Sequence, residues 1–465
     1  MAALSSTLVW EIRTTGNSAN GGAFRAGATG TDYSQQDTAQ VSYTDLTVDA
    51  TTNTIVTSAS NPFTSAHVGN VINISSSSPW TAGYYEIMSV TSGAATLNAS
   101  PAATSSTGGV GKLGGATDHP LTIAGKVVAS NIVWVKSGTY AVSSAISFTA
   151  SLTPPTNTSP TTRISGYSTT RGDTGRAILS SNGFFGTVLT TVGGWYVSNI
   201  EVNVNGSRIG ITVGQYSTVY NCKIYGAIVF GINIQNQNSI SFGNEVYGCS
   251  GTAAIGHGGY SICWGNYVHD NTTIGITITF NSVVSWNLVV NNTGSTSDGI
   301  VVGGSLAETV VTQNTIHGNG RHGLNFNVAT QYVPQPVQNN ILSYNGGWGA
   351  IFASVAGIPA MPMFDGNVYC NNTAGTRSNG NDTTVNAQNN SAPYINVLDR
   401  VITVNPYVDS ANNDFRLNSR VDGGLLCRGS GSPLTIIGIA NGVDMGVLQT
   451  KATPRQIGFN GGYNS

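Results

Sequence analysis

Six carboxylates lie in the repetitive middle of the chain, and they are the side chains there that could act as paired acids. Hydrolysis of a glycosidic bond, for example, needs two carboxyl groups about 5–9.5 Å apart. In a repetitive fold such a pair would occupy matching or adjacent positions of neighbouring repeats. Counted from the Asn that opens each repeat, the six carboxylates fall at offsets 2, 1, 4, 11, 21 and 25: Glu201, Glu245, Asp270, Asp298, Glu308 and Asp365. The sequence therefore predicts no stacked acidic pair and no catalytic residue.

The most polar segment of the same region contains His317, Arg321 and His322, which flank one turn. These three residues are the candidate binding cluster, although a solvated turn is the favoured interpretation. His269 and His317 share offset 3 but lie two repeats apart. That is about 10 Å at the usual spacing of strands, which is too far for one metal ion. We therefore predict no metal or cofactor site.

The remaining chemically distinctive residues are given structural interpretations. The five cysteines show no CxxC spacing and are expected to be small buried hydrophobes: Cys222, Cys249, Cys263, Cys370 and Cys427. The tripeptide Arg171-Gly172-Asp173 matches an adhesion motif by spelling only. Five aromatic residues could stack on sugars or pack within the protein, and packing is favoured: Trp264, Tyr267, Trp286, Tyr344 and Trp348.

A repeat must position all of these side chains. A segment of the form Asn-x-(apolar)-x returns at intervals of 22, 23, 22, 21, 27, 26 and 27 residues. Its members are Asn199, Asn221, Asn244, Asn266, Asn287, Asn314, Asn340 and Asn367. Each repeat holds two further short apolar stretches separated by Gly, Asn or Ser.

Three short strands in about 22 residues are typical of one coil of a three-sided parallel solenoid. Strands of successive coils would pair at about 4.8 Å, with Ile, Val and Phe stacked inside. The recurring Asn is expected at one corner, where it tolerates left-handed backbone geometry and its amide can bond the coils above and below.

Composition agrees with this architecture. Of 465 residues only 8% are charged, with a net charge of −2, against about 25% charged residues in ordinary soluble domains. This excludes a coiled coil and a basic nucleic-acid binder, and the 40% of apolar residues argues against disorder. Neither a membrane span nor a secretory signal is recognisable, so we expect synthesis and folding in a cytosol.

Changes in pattern along the chain predict four parts. Residues 1–40 form an attachment or capping segment, and residues 41–118 form a small β module. Residues 119–400 form the parallel β-helix, and residues 401–465 form a closing coil that caps it, because open parallel edges invite aggregation.

The Asn-x-Ile and Gly-Ile-x-Ile repeats resemble the right-handed parallel β-helix, or pectin-lyase-like, superfamily. The opening sequences WEIRTTGNSANGGAF and GTDYSQQDTAQ, within residues 10–40, resemble the start of β-helix proteins encoded by tailed phages. Residues 63–115 resemble the module that follows in that group, and residues 405–449 resemble the closing segment of such proteins. The resemblance implies an all-β, right-handed, three-sided parallel β-helix with a small N-terminal antiparallel β module.

Members of this superfamily include lyases and glycosidases, but the chain lacks most of their motifs. Gly256-His257-Gly258 matches a tripeptide of polygalacturonases, whose paired-Asp and Arg-Ile-Lys elements are missing. The lyases use acidic Ca²⁺ sites beside Lys or Arg, whereas this chain has five Lys, with Lys223 and Arg208 near the early coils.

The resemblance therefore favours a non-enzymatic structural protein of a tailed-phage virion: a decoration, spike or fibre. The expected partners are two further copies in a homotrimer, other virion proteins and a host surface glycan, without nucleic acid, membrane or cofactor. Two alternatives remain open, a polysaccharide-degrading tailspike and a passive glycan-binding adhesin.

Overall fold

The computed structural model describes residues 4–48, 53–151, 162–234, 237–304, 309–327, 335–352, 362–378 and 399–428. The chain divides into an N-terminal unit, residues 1–203 with 216–218, and a C-terminal unit, residues 204–215 with 219–465. Across the described ranges, no helix is long and apolar enough to span a membrane.

The N-terminal unit begins with two antiparallel strands, β1 (Leu8–Ile12) and β2 (Ala23–Arg25), followed by a closed barrel. The barrel strands are β3 (Val41–Val48), β4 (Ile55–Thr57), β5 (Val71–Ile74), β6 (Gly83–Thr91), β7 (Ala94–Leu97) and β8 (Ser106–Leu113). The 3₁₀ turn Ser65–His67 lies between β4 and β5. The barrel encloses its own apolar core, which includes Tyr43, Leu46 and Tyr85. The small antiparallel β module is thus confirmed.

The barrel contacts residues 5–33 of its unit, for example through the Arg25–Glu86 ion pair at 3.0 Å, and its two chain ends lie together. Val41 and Leu113 are register partners on neighbouring strands, although they stand at opposite ends of the module's sequence. The chain therefore enters and leaves the barrel side by side.

The coils of the N-terminal unit follow a single turn of helix, α1 (Pro120–Ile123). Their strands are β9 (Ile132–Lys136), β10 (Thr139–Val142), β11 (Ile146–Phe148), β12 (Thr162–Tyr167), β13 (Ala177–Ser181), β14 (Thr187–Thr191), β15 (Trp195–Ser198) and β16 (Ile200–Asn203). They pair in parallel as β1-β9-β12-β15, β10-β13-β16 and β11-β14.

Strand β1 belongs to the first coil. It pairs in parallel with β9, and the buried indole of Trp10 donates from Nε1 to Asn131 Oδ1 at 3.1 Å. Removal of residues 1–118 would therefore uncover the first coil.

The C-terminal unit consists of the same three-strand coil, repeated with the strands always in the same order. Its strands are β17 (Ile209–Val213), β18 (Thr218–Tyr220), β19 (Lys223–Tyr225), β20 (Phe230–Ile234), β21 (Ile240–Phe242), β22 (Glu245–Tyr247), β23 (Ala253–His257), β24 (Ile262–Trp264), β25 (Tyr267–His269), β26 (Ile274–Ile278), β27 (Val283–Ser285), β28 (Leu288–Val290), β29 (Ile300–Gly303), β30 (Val310–Thr312), β31 (Thr315–His317), β32 (Leu324–Asn327), β33 (Gln335–Gln338), β34 (Ile341–Ser343), β35 (Trp348–Phe352), β36 (Pro362–Asp365), β37 (Val368–Cys370), β38 (Gly375–Ser378) and β39 (Arg400–Ile402).

These strands form three parallel sheets in the C-terminal unit. Sheet 1 runs β18-β21-β24-β27-β30-β33-β36, sheet 2 runs β19-β22-β25-β28-β31-β34-β37-β39, and sheet 3 runs β17-β20-β23-β26-β29-β32-β35-β38. Every third strand therefore stacks on its counterpart in the next coil. The right-handed three-sided parallel β-helix is confirmed.

Alternation of side chains fills the interior. Because successive residues of a strand point to opposite faces, one register position per strand stacks along the inside of each sheet. In sheet 3 the stack is Ile232, Ile255, Ile276, Ile300, Leu324 and Ala350. Burial of each large aliphatic side chain contributes roughly 1.5–3 kcal/mol.

A short segment, residues 405–428, follows the last described coil. It contains β40 (Tyr407–Asp409), the 3₁₀ turns Ser410–Asn412 and Gly424–Cys427, and β41 (Asp414–Leu417), which pairs antiparallel with β40. Its side chains share an apolar cluster with the outer face of sheet 2. The part of the expected closing coil beyond residue 428 lies outside the described residues.

Candidate functional site

The outer face of sheet 2 carries a group of polar and aromatic side chains on its first three strands. Strands β19, β22 and β25 each present their first and third residues outward. Lys223 therefore stacks on Glu245 and Glu245 on Tyr267, while Tyr225, Tyr247 and His269 form a second column. We call Lys223, Glu245, Tyr247, Tyr267, His269 and Asp270 the outer-face cluster.

His269 is the centre of the outer-face cluster. Its Nδ1 lies 2.7 Å from Asp270 Oδ2, and its Nε2 lies 3.5 Å from Glu245 Oε1. Lys223 Nζ lies 3.7 Å from the other oxygen of Glu245. Two carboxylates of adjacent coils thus contact one imidazole, although their different offsets in the repeat hide this in the sequence.

Aromatic rings enclose the imidazole. Tyr267 stacks on His269 with ring centroids 4.0 Å apart, and Tyr247 stacks on the opposite side at 5.1 Å. The ring of Tyr225 continues the column, 5.1 Å from that of Tyr247. Partial burial, reinforced by Asp270 and Glu245, raises the pKa of the Tyr267 phenol. This phenol therefore stays neutral near neutral pH.

The geometry of the outer-face cluster suits binding better than proton transfer. Both imidazole nitrogens face carboxylates, and Nε2 is inaccessible to solvent. Asp270 is 56% exposed, so its carboxylate is accessible to hydroxyl or amide donors. Lys223 supplies the only cationic ammonium within this cluster.

A second aromatic column lies on sheet 1, beside the same corner. The rings of Tyr220 and Phe242 are 4.8 Å apart, and those of Phe242 and Trp264 are 4.5 Å apart. At the corner itself Gly243 and Gly265 have φ of 62° and 63°, a left-handed geometry that glycine adopts without strain. Trp264 and Tyr267, which were expected to pack within the protein, lie instead on the outer faces of the sheets, where their rings stack on neighbouring rings.

The cluster predicted from the sequence at residues 317–322 is divided by the structure. Arg321 and His322 both bond the buried carboxylate of Asp298, through Arg321 Nε at 2.7 Å and the backbone N–H of His322 at 3.0 Å. His317 instead points to the outer face of sheet 2, where its Nδ1 lies 3.0 Å from Ser343 Oγ. Ser343 and Asp298 belong to different sides of the coil, so these three residues form no common site.

Six of the eight repeat asparagines form a ladder inside the first corner. Each Nδ2 donates to Oδ1 of the next asparagine at 2.9–3.1 Å, and every side chain is buried: Asn244, Asn266, Asn287, Asn314, Asn340 and Asn367. The left-handed residue is the one before each of them, with φ of 55–67°. Left-handed backbone geometry and hydrogen bonding between coils, which were both expected of one asparagine, thus belong to two successive residues of the corner.

Asn199 and Asn221 occupy the preceding, left-handed position, with φ of 54° and 48°. In that coil Cys222 takes the ladder position, and its backbone N–H donates to Asn244 Oδ1 at 2.9 Å. The motif Asn-x-apolar therefore matches at two neighbouring positions of the corner, the left-handed residue and the ladder residue after it. This accounts for the interval of 23 residues between Asn221 and Asn244.

A second asparagine ladder lies at the next corner, between sheets 2 and 3. Nδ2-to-Oδ1 distances are 2.7, 2.7, 2.9 and 2.8 Å along Asn271, Asn292, Asn319, Asn345 and Asn372. The sequence analysis missed it. The signal is an Asn five residues after each ladder Asn from Asn266 onward.

Two sequence motifs prove to be structural. His257 of the Gly-His-Gly tripeptide points into the interior, is 4% exposed, and bonds Ser241 Oγ at 2.6 Å. Burial lowers its pKa to about 3. Arg171 of the Arg-Gly-Asp tripeptide is held by Glu11 at 2.7 Å and Asp32 at 3.1 Å, so it is not presented as an adhesion loop.

All five cysteines are buried free thiols. Burial raises the pKa of Cys263 to about 12 and that of Cys249 and Cys370 to about 11. Within the described ranges, no group of three or more His, Cys, Asp or Glu side chains could hold a metal ion. Of the six sequence-predicted carboxylates, Glu308 lies outside the described residues.

Comparisons with known proteins find structural similarity alone. No family model and no curated protein matches the chain. Pectate lyase Pel9A is similar over 70% of this chain and 90% of its own, with 16% identity and a TM-score of 0.51. The mannuronan C-5 epimerase AlgE4 A-module of Azotobacter vinelandii covers 53% of this chain and 71% of its own, with 13% identity and a TM-score of 0.40. ORF18 of Geobacillus virus E2 covers 54% of each chain, with 12% identity and a TM-score of 0.29.

The likeness to pectate lyase at this low identity concerns the backbone architecture. It agrees with the three parallel sheets described above. The chain therefore has a right-handed parallel β-helix fold, similar to that of pectate lyase Pel9A.

Proposed function

We propose that the chain is a non-enzymatic structural component of a tailed-phage virion, a rigid β-helix that projects from the particle as a decoration, spike or fibre. The observation that carries this proposal is the pair of buried asparagine ladders. They tie coil to coil at two corners, in addition to the three sheets, and so favour a stiff, resistant rod. The phage-like opening of the sequence supports the same assignment.

The barrel, residues 41–113, is the proposed attachment module. It has its own core and its two chain ends lie side by side, which supports its use as a separate contact for other virion proteins. The β-helix would then project outward, with assembly of the chain in the host cytoplasm and association into a homotrimer as further parts of the proposal.

The experiment is mass spectrometry of purified particles from a phage that encodes this chain, with a variant in which a short Gly-Ser linker replaces residues 41–113. We expect the intact chain in the particle, and a variant that is folded by circular dichroism but missing from particles. Particles without the intact chain would refute the virion assignment. Incorporation of the barrel-deleted variant would refute only the role of the barrel.

The outer-face cluster supports a second candidate, a tailspike that binds or degrades a polysaccharide. Stacked aromatic rings beside exposed carboxylates are typical of sugar recognition. The test is incubation with host capsule or lipopolysaccharide, followed by assays for new reducing ends, unsaturated uronates and binding. Cleavage that is lost in Glu245→Gln would establish an enzyme. Binding without cleavage would establish an adhesin, and absence of both binding and cleavage would support the structural role.

A further inference from the structure

Residues 405–428, which we call the strap, cover part of the outer face of sheet 2. Tyr407, Phe415, Leu417 and Cys427 of the strap share one buried cluster with outward-pointing residues of the sheet: Leu288, Val290, Ile341, Val368 and Cys370. In the earlier coils the corresponding positions hold the partly exposed outer-face cluster. The apolar character of this face therefore begins where the strap covers it.

The strap is held together largely by its own hydrogen bonds. Asn418 Nδ2 donates to the carbonyls of Asn405 and Tyr407 at 2.7 and 2.9 Å, and its Oδ1 accepts from the backbone N–H of Gly424 at 2.9 Å. The backbone N–H of Asn418 donates to Pro406 O at 2.8 Å. The strap can leave the sheet as a unit without breaking these bonds.

His317 lies under the middle of the strap. It is 8% exposed, and its ring is 5.4 Å from that of Tyr407 and 5.2 Å from that of Phe415. Ser343 links the two sides, because its Oγ lies 3.0 Å from His317 Nδ1 and 3.1 Å from Tyr407 Oη.

Among the described residues, the titratable groups around this histidine offer no counter-charge. Tyr344, from the end of β34, contacts the ring at 5.3 Å, and Tyr407 contacts it from the strap. The thiols of Cys370 and Cys427 lie in the same cluster. Burial raises the pKa of both phenols and of Cys370, so these groups are neutral when the imidazole takes up a proton.

We propose that the strap is an acid-sensitive cover: protonation of His317 releases residues 405–428 from sheet 2 and uncovers the apolar face beneath. A charged imidazole without a counter-ion is unfavourable in this apolar contact, whereas release of the strap opens it to water. The inference does not depend on the proposed virion role.

The pH dependence of strap docking follows from the difference in the pKa of His317 between the docked and the released strap. Burial lowers the pKa of His317 from 6.5 to about 4 while the strap is docked. Docking is thus fully favoured above pH 6.5 and weakens as the pH falls toward 4, by up to tenfold per pH unit. The docking equilibrium can shift by at most about 300-fold, the limit set by the 2.5-unit difference in pKa and reached only below pH 4.

The test is hydrogen–deuterium exchange of the full chain between pH 7 and 4.5, corrected for the intrinsic pH dependence of exchange. Peptides within 405–428 should lose protection at acid pH while interior strands such as β28 and β31 keep theirs. His317→Gln, which is neutral throughout, should keep the strap docked. His119→Gln, just before α1 in the N-terminal unit, should behave like the wild type.

A second variant tests the proposal even if His317→Gln fails to fold. Phe415→Ala weakens docking at every pH and should move strap release to higher pH, with binding of a hydrophobic dye as an independent readout. Unchanged strap protection in the wild type at pH 4.5, or equal loss in His317→Gln, would overturn the proposal.

Discussion

Asn314→Ala should be one of the most damaging single substitutions in the C-terminal unit. Asn314 lies in the middle of the first ladder and is fully buried. Its Nδ2 donates to Asn340 Oδ1 at 3.0 Å and to the carbonyls of Val284 and Thr312 at 3.0 and 3.1 Å. Its Oδ1 accepts from the backbone N–H and Nδ2 of Asn287 at 2.9 and 3.0 Å.

The magnitude follows from these five bonds. Alanine removes all of them and leaves the buried backbone N–H of Asn287 without this acceptor. A buried group left unpaired costs about 1–3 kcal/mol, and an ordinary hydrogen bond contributes about 1 kcal/mol net. We therefore expect a loss of about 3–5 kcal/mol in the free energy of unfolding.

Asn221→Gly is the matched control, because it changes an asparagine of the same corner one position earlier. Its φ of 48° suits glycine, and its backbone N–H can still donate to Phe242 O at 3.1 Å. The expected change is within about 1 kcal/mol. Both variants would be compared by guanidinium unfolding followed through tryptophan fluorescence. A loss below about 1 kcal/mol for Asn314→Ala, or equal losses for the two variants, would refute the role assigned to the ladder.

Three further predictions concern buried ionisable groups. Because burial lowers the pKa of His257 from 6.5 to about 3, the unfolded state binds a proton that the folded state excludes. The free energy of unfolding should therefore fall by up to about 1.4 kcal/mol per pH unit as the pH drops between these values. His257→Ile should flatten that slope in acid unfolding curves, and an unchanged slope would contradict the interior placement of His257. The five buried thiols, Cys263 among them, should resist alkylation until the chain unfolds, and rapid labelling of the native protein, detected by mass, would disprove their burial. Arg377 Nη1 lies 3.1 Å from Asp399 Oδ2, and both side chains are 6% exposed. Arg377→Met should lower the free energy of unfolding by about 3–5 kcal/mol, because it leaves a buried carboxylate unpaired. Adding Asp399→Asn should recover part of this loss in thermal unfolding, and no recovery would argue against the pairing.

The repeat made the architecture predictable, but not the register of its first two members. Three apolar stretches per coil specify three sheets, because each stretch can bury only one face. Asparagine suits both the left-handed residue and the ladder residue of a corner, so Asn221 and Asn244 look equivalent in sequence. The second ladder was predictable from the constant interval of five residues and was overlooked.

The grouping of polar side chains was harder to predict. His317 and His322 are close in sequence, but the corner between them sends one to sheet 2 and the other toward Asp298. Conversely, Glu245 and Asp270 have unrelated offsets and meet only through His269. The strap resembles one more coil in sequence, because Tyr407 and Phe415 alternate as strand residues do.

Disulfide trapping of the register between adjacent coils tests the central claim, a parallel stack of coils, most directly. Ile262 and Val283 are register partners with outward side chains on β24 and β27 of sheet 1. Neighbouring parallel strands lie about 4.8 Å apart, within the Cα range of about 4.4–6.8 Å that a disulfide spans. Ile262→Cys with Val283→Cys should therefore crosslink on mild oxidation, while Ile262→Cys with Ser285→Cys, two residues out of register, should not. Preferential crosslinking of the second pair would contradict the coil arrangement.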